Sequence, residues 1–115
     1  MQFSSLKEFD REFARLVRKY RTLNDDIKRL HKYLHINPRG YPPGIVRISG
    51  LGLKTEIYKV KHFRCKALKG KGSRSGIRII YAYIPDQQNL VFTEIYYKEK
   101  DSTDCNRERL KRYFD

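Results

Sequence analysis

The hydrophobic pattern changes period once along this chain, at the segment RGYPPG (residues 39–44), and this change restricts the possible folds more than any other feature. Before the segment, apolar residues recur every three or four positions, as on one face of an α-helix. After it, short runs rich in Ile, Val, Tyr and Phe are separated by Gly and Pro, as in β-strands. The segment itself favours turns, because its prolines lack an amide donor. The pattern predicts an α+β fold, with helices first and a sheet second.

Two helices are predicted before the break and one at the C-terminus. Ser5 followed by Glu8 has the spacing of a capping box, and the first helix is predicted to run from there to about residue 21. Thr22 can cap a second helix, which ends at Asn37 before a proline. These two helices form a helical hairpin. The C-terminal helix is predicted over residues 103–114.

Four strands are predicted after the break, over residues 45–49, 56–63, 76–84 and 90–97. The last two flank a short polar connection, which indicates an antiparallel hairpin. The length fits one domain with one modest core. We therefore expect a single domain over residues 1–115: an N-terminal helical hairpin, a twisted antiparallel sheet of about four strands and a C-terminal helix.

The charge of the chain predicts a polyanionic partner. There are 26 Lys and Arg against 13 Asp and Glu, a formal net charge of +13. Between Glu56 and Asp86 no acidic residue occurs, and a surface that served only solubility would mix both signs. The stretch KALKGKGSRSG in this segment lets backbone amides approach phosphates, although it lacks the spacing of a P-loop. The predicted RNA-binding residues are Arg64, Lys66, Lys69, Lys71 and Arg74.

Two strands place further cations where a ligand could meet them. Alternation along the second predicted strand puts Lys59 and Lys61 on one face, opposite two apolar residues. Arg78 begins the most apolar strand, where a charged side chain is costly unless it meets a partner or a ligand. Two explanations of Arg78 remain open: an anionic ligand, or a structural ion pair with Glu94 on the neighbouring strand.

Several classes of protein and site are disfavoured. No apolar run approaches the roughly 18 residues that span a bilayer, and the N-terminus lacks the apolar stretch of a secretion signal, so we expect a cytoplasmic protein without membrane contact. Cys65 and Cys105 have no CxxC spacing, which favours two reduced thiols over a disulfide or a zinc site. His31 and His35 are four apart, but we expect a solvated pair. We expect neither a metal nor a small-molecule cofactor.

Four segments and the order of elements resemble the RelE/ParE superfamily of bacterial toxins from type II toxin–antitoxin modules, over most of the chain. YKVK (58–61) resembles the family's tyrosine-lysine-apolar-lysine strand, and SGIRIIYAY (75–83) resembles its glycine-x-arginine-apolar-apolar-tyrosine strand. VFTEIYYKEKDS (91–102) is similar to the last strand and its exit. RERLKRYF (107–114) is similar to the basic C-terminal helix.

The resemblance implies a function and residue roles. Members resembling RelE cleave messenger RNA, often on the ribosome and without a metal, whereas members resembling ParE poison DNA gyrase. The basic charge favours the first branch. By this resemblance Lys59 or Lys61 is the base, Arg78 clamps the phosphate, and Lys98 is a further electrostatic or acid group. A separate antitoxin protein, with an acidic or amphipathic segment over the basic face, is the implied partner.

The chain departs from RelE itself at two positions. Glu99 stands where that toxin has an arginine, and Cys105 replaces a tyrosine of its C-terminal helix. The general acid is therefore open among Lys98 and the alternatives Tyr97, Tyr96 and Lys100, since the acid differs among branches resembling HigB and YoeB. An inactive member, a gyrase-directed toxin and a basic RNA-binding module without chemistry remain as alternatives.

Overall fold

A five-stranded sheet forms the centre of the protein. The structure is a computed structural model that describes residues 1–68, 70, 75–98 and 104–115. In chain order the elements are β1 (Gln2–Ser5), α1 (Lys7–Lys19), α2 (Leu23–Ile36), β2 (Ile45–Arg47), β3 (Glu56–Val60), β4 (Ile77–Ile84), a single 3-10 turn (Pro85–Gln87), β5 (Asn89–Tyr97) and α3 (Arg107–Tyr113). The strand order is β1-β5-β4-β3-β2. The predicted α+β class is confirmed.

The sheet is mixed rather than purely antiparallel. Strands β2, β3, β4 and β5 pair antiparallel in succession, and the predicted hairpin of the last two strands is confirmed. Strand β1 pairs parallel to β5, with Phe3 opposite Leu90. The strand count is therefore one higher than expected, because the N-terminal strand joins the edge of the sheet.

Both faces of the sheet are covered, which explains the nearly continuous apolar run of β4. Helices α1 and α2 pack on one face, with Phe9, Leu23 and Leu34 among the buried residues. Helix α3 packs on the other face, where Leu110 joins a second cluster with Ile80 of β4. A strand buried on both sides shows no alternation of apolar and polar residues. We call the two sides the hairpin face and the α3 face.

The capping box predicted at Ser5 is wrong. Ser5 ends strand β1, and its hydroxyl donates to Asp10 Oδ1 at 2.6 Å. Leu6 precedes α1 and makes no capping bond with its side chain. Strand β1 was not predicted because it has four residues and only one apolar side chain, Phe3. An alternation of apolar and polar residues cannot be recognised in so short a segment.

The two other helix starts also differ in detail. Thr22 precedes α2 as predicted, but its hydroxyl donates to Asp26 Oδ2 (2.8 Å) and accepts from the Ala67 amide (2.8 Å) instead of capping the helix. Helix α3 begins later than predicted, because the side chain of Asn106 accepts from the Arg109 amide (3.0 Å) and caps it there. The predicted start at residue 103 lies outside the described residues.

His31 is half-buried, so the expectation of a solvated histidine pair is wrong for this residue. Its ring stacks on Phe3 (centroids 4.7 Å apart) and on Phe92 (4.9 Å), and it thereby joins α2 to β1 and β5. Burial lowers the pKa of His31 below its usual value. His31 thus belongs to the aromatic packing of the hairpin face.

The two cysteines are free, buried thiols in clusters on opposite faces of the sheet. Burial raises the pKa of both thiols, which disfavours the reactive thiolate. Within the described ranges, no three His, Cys, Asp or Glu side chains are grouped closely enough to hold a metal. No described helix has both the length and the apolar character needed to cross a bilayer.

Candidate active site

The predicted cations meet at one end of the sheet, where β3 ends, β4 begins and β5 ends. In the β3–β4 ladder Val60 lies opposite Ile79, so the next residues along each strand are Lys61 and Arg78. In the β4–β5 ladder Arg78 lies opposite Tyr96. Side chains directly opposite each other on neighbouring strands are about 5 Å apart at Cβ. This register therefore places Arg78 beside Tyr96, and Lys61 is the first residue after the last pair of the β3–β4 ladder.

Lys59 of β3 belongs to the α3 face, and Lys61 directly follows the strand. Tyr58 and Val60 lie in the core under the hairpin, whereas Ile57 lies in the cluster beneath α3. Strand alternation then directs Lys59 to the α3 face with Ile57. Lys59 is half-buried and Lys61 is exposed.

Arg78 does not pair with Glu94. Its side chain is half-buried, and the hydrogen bond recorded for it is a long one, from Nη1 to the Ile77 carbonyl at 3.4 Å. Within the described part of the chain, no carboxylate forms a salt bridge with it. The structural explanation of Arg78 as a partner of Glu94 is therefore wrong.

Glu94 instead anchors the segment before α3. It is 9% exposed, and its Oε1 accepts from the Asn106 amide at 2.7 Å. Burial raises the pKa of Glu94. The backbone N–H of Asn106 thus takes the place that the sequence suggested for the guanidinium of Arg78.

Tyr96 lies beside Arg78 with its hydroxyl buried. In the described structure Tyr96 Oη has no hydrogen-bond partner. Burial first, and the neighbouring Cys105, Glu94 and Asp104 second, raise the pKa of the phenol, while Arg78 acts to lower it. The phenol therefore keeps its proton, which makes Tyr96 a weak candidate for a general acid.

Lys98 and Tyr97 are placed differently. The Lys98 amide donates to the Gly76 carbonyl at 2.8 Å, so the ladder continues through this residue and alternation directs Lys98 to the α3 face. Tyr97 packs against the hairpin core, and its ring stacks on Tyr20 at 6.1 Å. The structure thus groups Lys98 with Arg78 and does not bring Tyr97 to them.

The segment between β3 and β4, which contains the predicted RNA-binding residues, begins at the same end of the sheet. Its two ends are joined by the buried Ser75, whose hydroxyl donates to the Phe63 carbonyl at 2.6 Å. Arg64 and Lys66 are exposed, and the Lys66 amide donates to the buried Asp26 at 3.3 Å. The start of the loop is therefore fixed to α2. The predicted RNA contacts Lys69, Lys71 and Arg74 lie outside the described residues, as do Glu99 and Lys100.

Sequence reasoning missed Asp104 and Arg107. Asp104 Oδ1 lies 3.2 Å from Lys59 Nζ, and its Oδ2 lies 3.3 Å from Arg107 Nε. The Cys105 amide and the Lys59 ammonium lower the pKa of Asp104 to about 2. The pair joins residues 45 positions apart in sequence. A contact between residues so far apart in sequence produces no local pattern from which it could be predicted.

This arrangement is suited to phosphate chemistry. By register and alternation, Lys59, Arg78 and Lys98 lie on one face of three neighbouring strands or directly after them. A group of cations placed in this way can hold a phosphate and stabilise the charge of a pentacovalent phosphorane. Arginine offers a planar fork that matches two phosphate oxygens. The chemistry fits a phosphodiester better than a neutral substrate.

Comparisons with known proteins agree with this fold. No family model matches the chain, and no curated protein matches it in sequence. Among solved structures, the isolated RelE toxin of E. coli matches with a TM-score of 0.58 and 16% identity, over 98% of each chain. The archaeal RelE–RelB complex from Pyrococcus horikoshii OT3 matches with a TM-score of 0.58 and 10% identity, over 86% of this chain and 96% of that one. The chain therefore has the fold of the RelE toxins.

Proposed function

We propose that the protein is the toxin of a type II toxin–antitoxin module and that it acts as an endoribonuclease on messenger RNA at the ribosome, without a metal ion. The observation that carries this proposal is Arg78, a half-buried cation with no carboxylate partner in the described structure, beside Lys61 on the face that also holds Lys59. The RelE-like fold and the net charge of +13 support it.

The proposed reaction uses the ribose of the substrate as the nucleophile. The 2′-hydroxyl attacks the adjacent phosphorus in line, its proton passes to a lysine amine, and the P–O5′ bond breaks. The products are a 2′,3′-cyclic phosphate and a 5′-hydroxyl. Arg78 stabilises the charge that develops on the phosphorane, and a positioned acid or base typically contributes about 10² to 10⁴ in rate. Lys98 is the proposed donor to the leaving oxygen.

The proposed protein partner is an antitoxin that neutralises the basic end of the sheet. The archaeal neighbour was crystallised as a complex of RelE with RelB. For this chain, the complementary partner has an acidic segment, because the lysines and arginines of the α3 face attract it and its carboxylates compete with RNA phosphates.

Brief expression in bacteria tests the proposal. We expect translation and growth to stop while DNA topology is unchanged, and primer extension to show new 5′ ends in messenger RNA. The variant Arg47→Ala, which removes an exposed arginine of β2, is the matched control and should behave as wild type. DNA breaks with intact messenger RNA would establish gyrase poisoning instead. RNA binding without cleavage would establish a non-catalytic module.

A further inference from the structure

The segment RGYPPG and the end of α2 carry an exposed apolar patch that the proposed reaction does not use. Tyr41 in this segment is 64% exposed, and Tyr33 and Ile36 near the end of α2 are 38% and 77% exposed. Tyr41 Oη donates to Asn37 Oδ1 at 3.2 Å, and the Asn37 amide donates to the Tyr33 carbonyl at 2.9 Å. The Tyr41 ring therefore lies against the last turn of α2. Exposed apolar groups gathered in one place are typical of binding surfaces.

The backbone before Tyr41 is fixed to the sheet. The Pro38 carbonyl accepts from the buried Tyr81 hydroxyl at 2.7 Å. Arg39 donates to both carboxylate oxygens of Glu56, at 2.8 Å and 3.0 Å. A tyrosine has only two side-chain torsions, so a tyrosine on a fixed backbone loses little conformational entropy when it binds a ligand. Tyr41 is thus an exposed ring on a pre-organised support.

The charges around the patch fit a polyanion. Residues 27–55 contain six lysines and arginines and no acidic residue. Among them, Lys32 and His35 are exposed and adjoin Tyr33 and Ile36 in sequence. A surface of one sign attracts partners of the opposite sign. Single-stranded RNA combines negative phosphates with flat bases that stack on aromatic rings, so its chemistry matches both features of this surface.

The segment also ends next to the candidate active site. Gly44 is its last residue, three positions after Tyr41, and the Gly44 carbonyl accepts from the amides of Lys61 (2.7 Å) and His62 (3.1 Å). These two residues directly follow β3 at the end of the sheet where the candidate site lies. An RNA strand that is held there can continue over the segment to Tyr41. This continuity favours the RNA substrate over an acidic protein as the occupant of the patch.

We propose that Tyr41, together with Tyr33, forms a stacking platform for an unpaired base of the substrate RNA, outside the two nucleotides that the scissile phosphate joins. This inference rests on the proposed ribonuclease function. The platform contributes to RNA binding and leaves the chemical step to the cations of the candidate site. Every base has a flat face, so the platform accepts any base that is unstacked, whereas the bases of a duplex have no free face to offer.

Fluorescence tests the stacking directly, because the chain contains no tryptophan. The variant Tyr41→Trp introduces a single fluorescent reporter at the platform. We expect a single-stranded oligodeoxynucleotide, which has no attacking 2′-hydroxyl, to quench this fluorescence. The same backbone without bases, and a duplex of the same length, should leave it unchanged at saturating concentration. Tyr113→Trp places the reporter on α3 at another exposed tyrosine (40%) and is the matched control, which none of the three should quench.

Binding and cleavage by a second variant separate stacking from apolar contact. Tyr41→Leu keeps an apolar side chain but has no flat face, and we expect its dissociation constant for single-stranded RNA to rise by about tenfold. Tyr41→Trp should stay within about twofold of the wild type. The single-turnover rate at saturating RNA should be unchanged in both variants, because stacking outside the reacting nucleotides acts equally in the ground state and the transition state. Tyr113→Leu is the matched control for affinity, and thermal unfolding checks that each variant is folded.

Two results would overturn the inference and leave the proposed cleavage standing. Equal quenching by the backbone without bases would show that charge alone brings nucleic acid to the patch. Equal RNA affinity of Tyr41→Leu and Tyr41→Trp would make the patch a docking site for an acidic protein segment instead. Intact ribosome-bound RNA from a folded wild-type protein, with base-dependent quenching of Tyr41→Trp still observed, would overturn the proposed function and leave a nucleic-acid-binding platform without chemistry.

Discussion

Arg78 is a half-buried cation, so its burial costs free energy, and its charge is the one that the proposed chemistry uses. Burying a charge is unfavourable unless it is paired, and Glu94 on the next strand is already bonded to the Asn106 amide. Among the described residues, the guanidinium makes one long hydrogen bond, to the Ile77 carbonyl. The sequence predicted that Arg78 lies in an apolar strand. It did not decide between an anionic ligand and an ion pair with Glu94.

The variant Arg78→Ala should separate catalysis from stability. We expect single-turnover cleavage to fall by about 10² to 10³, as for other groups that stabilise charge in the transition state. The free energy of unfolding should change by less than about 1 kcal/mol, because no ion pair in the described structure is broken. Both quantities are measured on one sample. A destabilised variant that cleaves normally in the cold would contradict the catalytic role.

A β-bulge explains why sequence alone did not choose between Tyr96 and Tyr97. Ile80 pairs with Glu94, but the next residue, Tyr81, pairs with Phe92, so Thr93 is an extra residue in β5. Unbroken alternation along β5 would direct Tyr97 to the α3 face. One extra residue reverses every side chain after it, and Tyr96 takes that place instead. For Lys59, whose strand pairs with β4 without a register shift, alternation gives the face opposite the buried Tyr58 and Val60.

At the scale of elements, Arg109 of α3 and Glu12 of α1 join these two helices across the edge of β5. We call this pair of side chains the polar clasp. Strand β1 stops opposite Phe92, and beyond that point the edge is covered by two side chains. Glu12 accepts from the Ile95 amide at 3.3 Å, and Arg109 donates to the Thr93 carbonyl at 2.8 Å. Arg109 and Glu12 bond each other at 2.9 Å over 97 positions of sequence. Long-range pairs of this kind cannot be read from local patterns.

Replacement of Arg109 should destabilise the protein. We expect Arg109→Met to lower the free energy of unfolding by about 2 to 3 kcal/mol, because it leaves Glu12 and the Thr93 carbonyl without their partner. Urea unfolding measures the change. Arg112→Met is the matched control on the same helix, since Arg112 is 65% exposed and 3.9 Å from Glu8, and it should change stability little. Equal effects of the two changes would contradict the clasp.

The aromatic contact of His31 gives the fold a pH dependence. Burial lowers the pKa of His31 from 6.5, so the unfolded chain binds its proton more readily than the folded chain. This contribution to stability is present above pH 6.5 and is lost as the pH falls below it. We expect His31→Phe, which keeps the stacking on Phe3 and Phe92, to reduce the fall in unfolding free energy between pH 7 and pH 5. An unchanged fall would show that other groups cause it.

At the scale of the whole molecule, the sheet lies between the larger hydrophobic core and the candidate active site. The larger core lies under α1 and α2, and the candidate site lies on the α3 face at one end of the sheet. The change of hydrophobic period predicted the fold class. Helices bury residues three or four positions apart, whereas strands bury alternate residues or short apolar runs. The docking of α3 beside Lys59 was not predictable, since it depends on tertiary contacts of Glu94 and Leu110.

Analysis of the RNA ends made by the purified protein tests the central claim most directly. Ribosomes programmed with a defined messenger RNA are incubated with the protein, and the fragments are examined for their terminal groups. The account predicts a 2′,3′-cyclic phosphate and a 5′-hydroxyl, and no cleavage when the attacking ribose is replaced by deoxyribose. Intact RNA from a folded protein, or cleavage that persists at the deoxyribose, would contradict it.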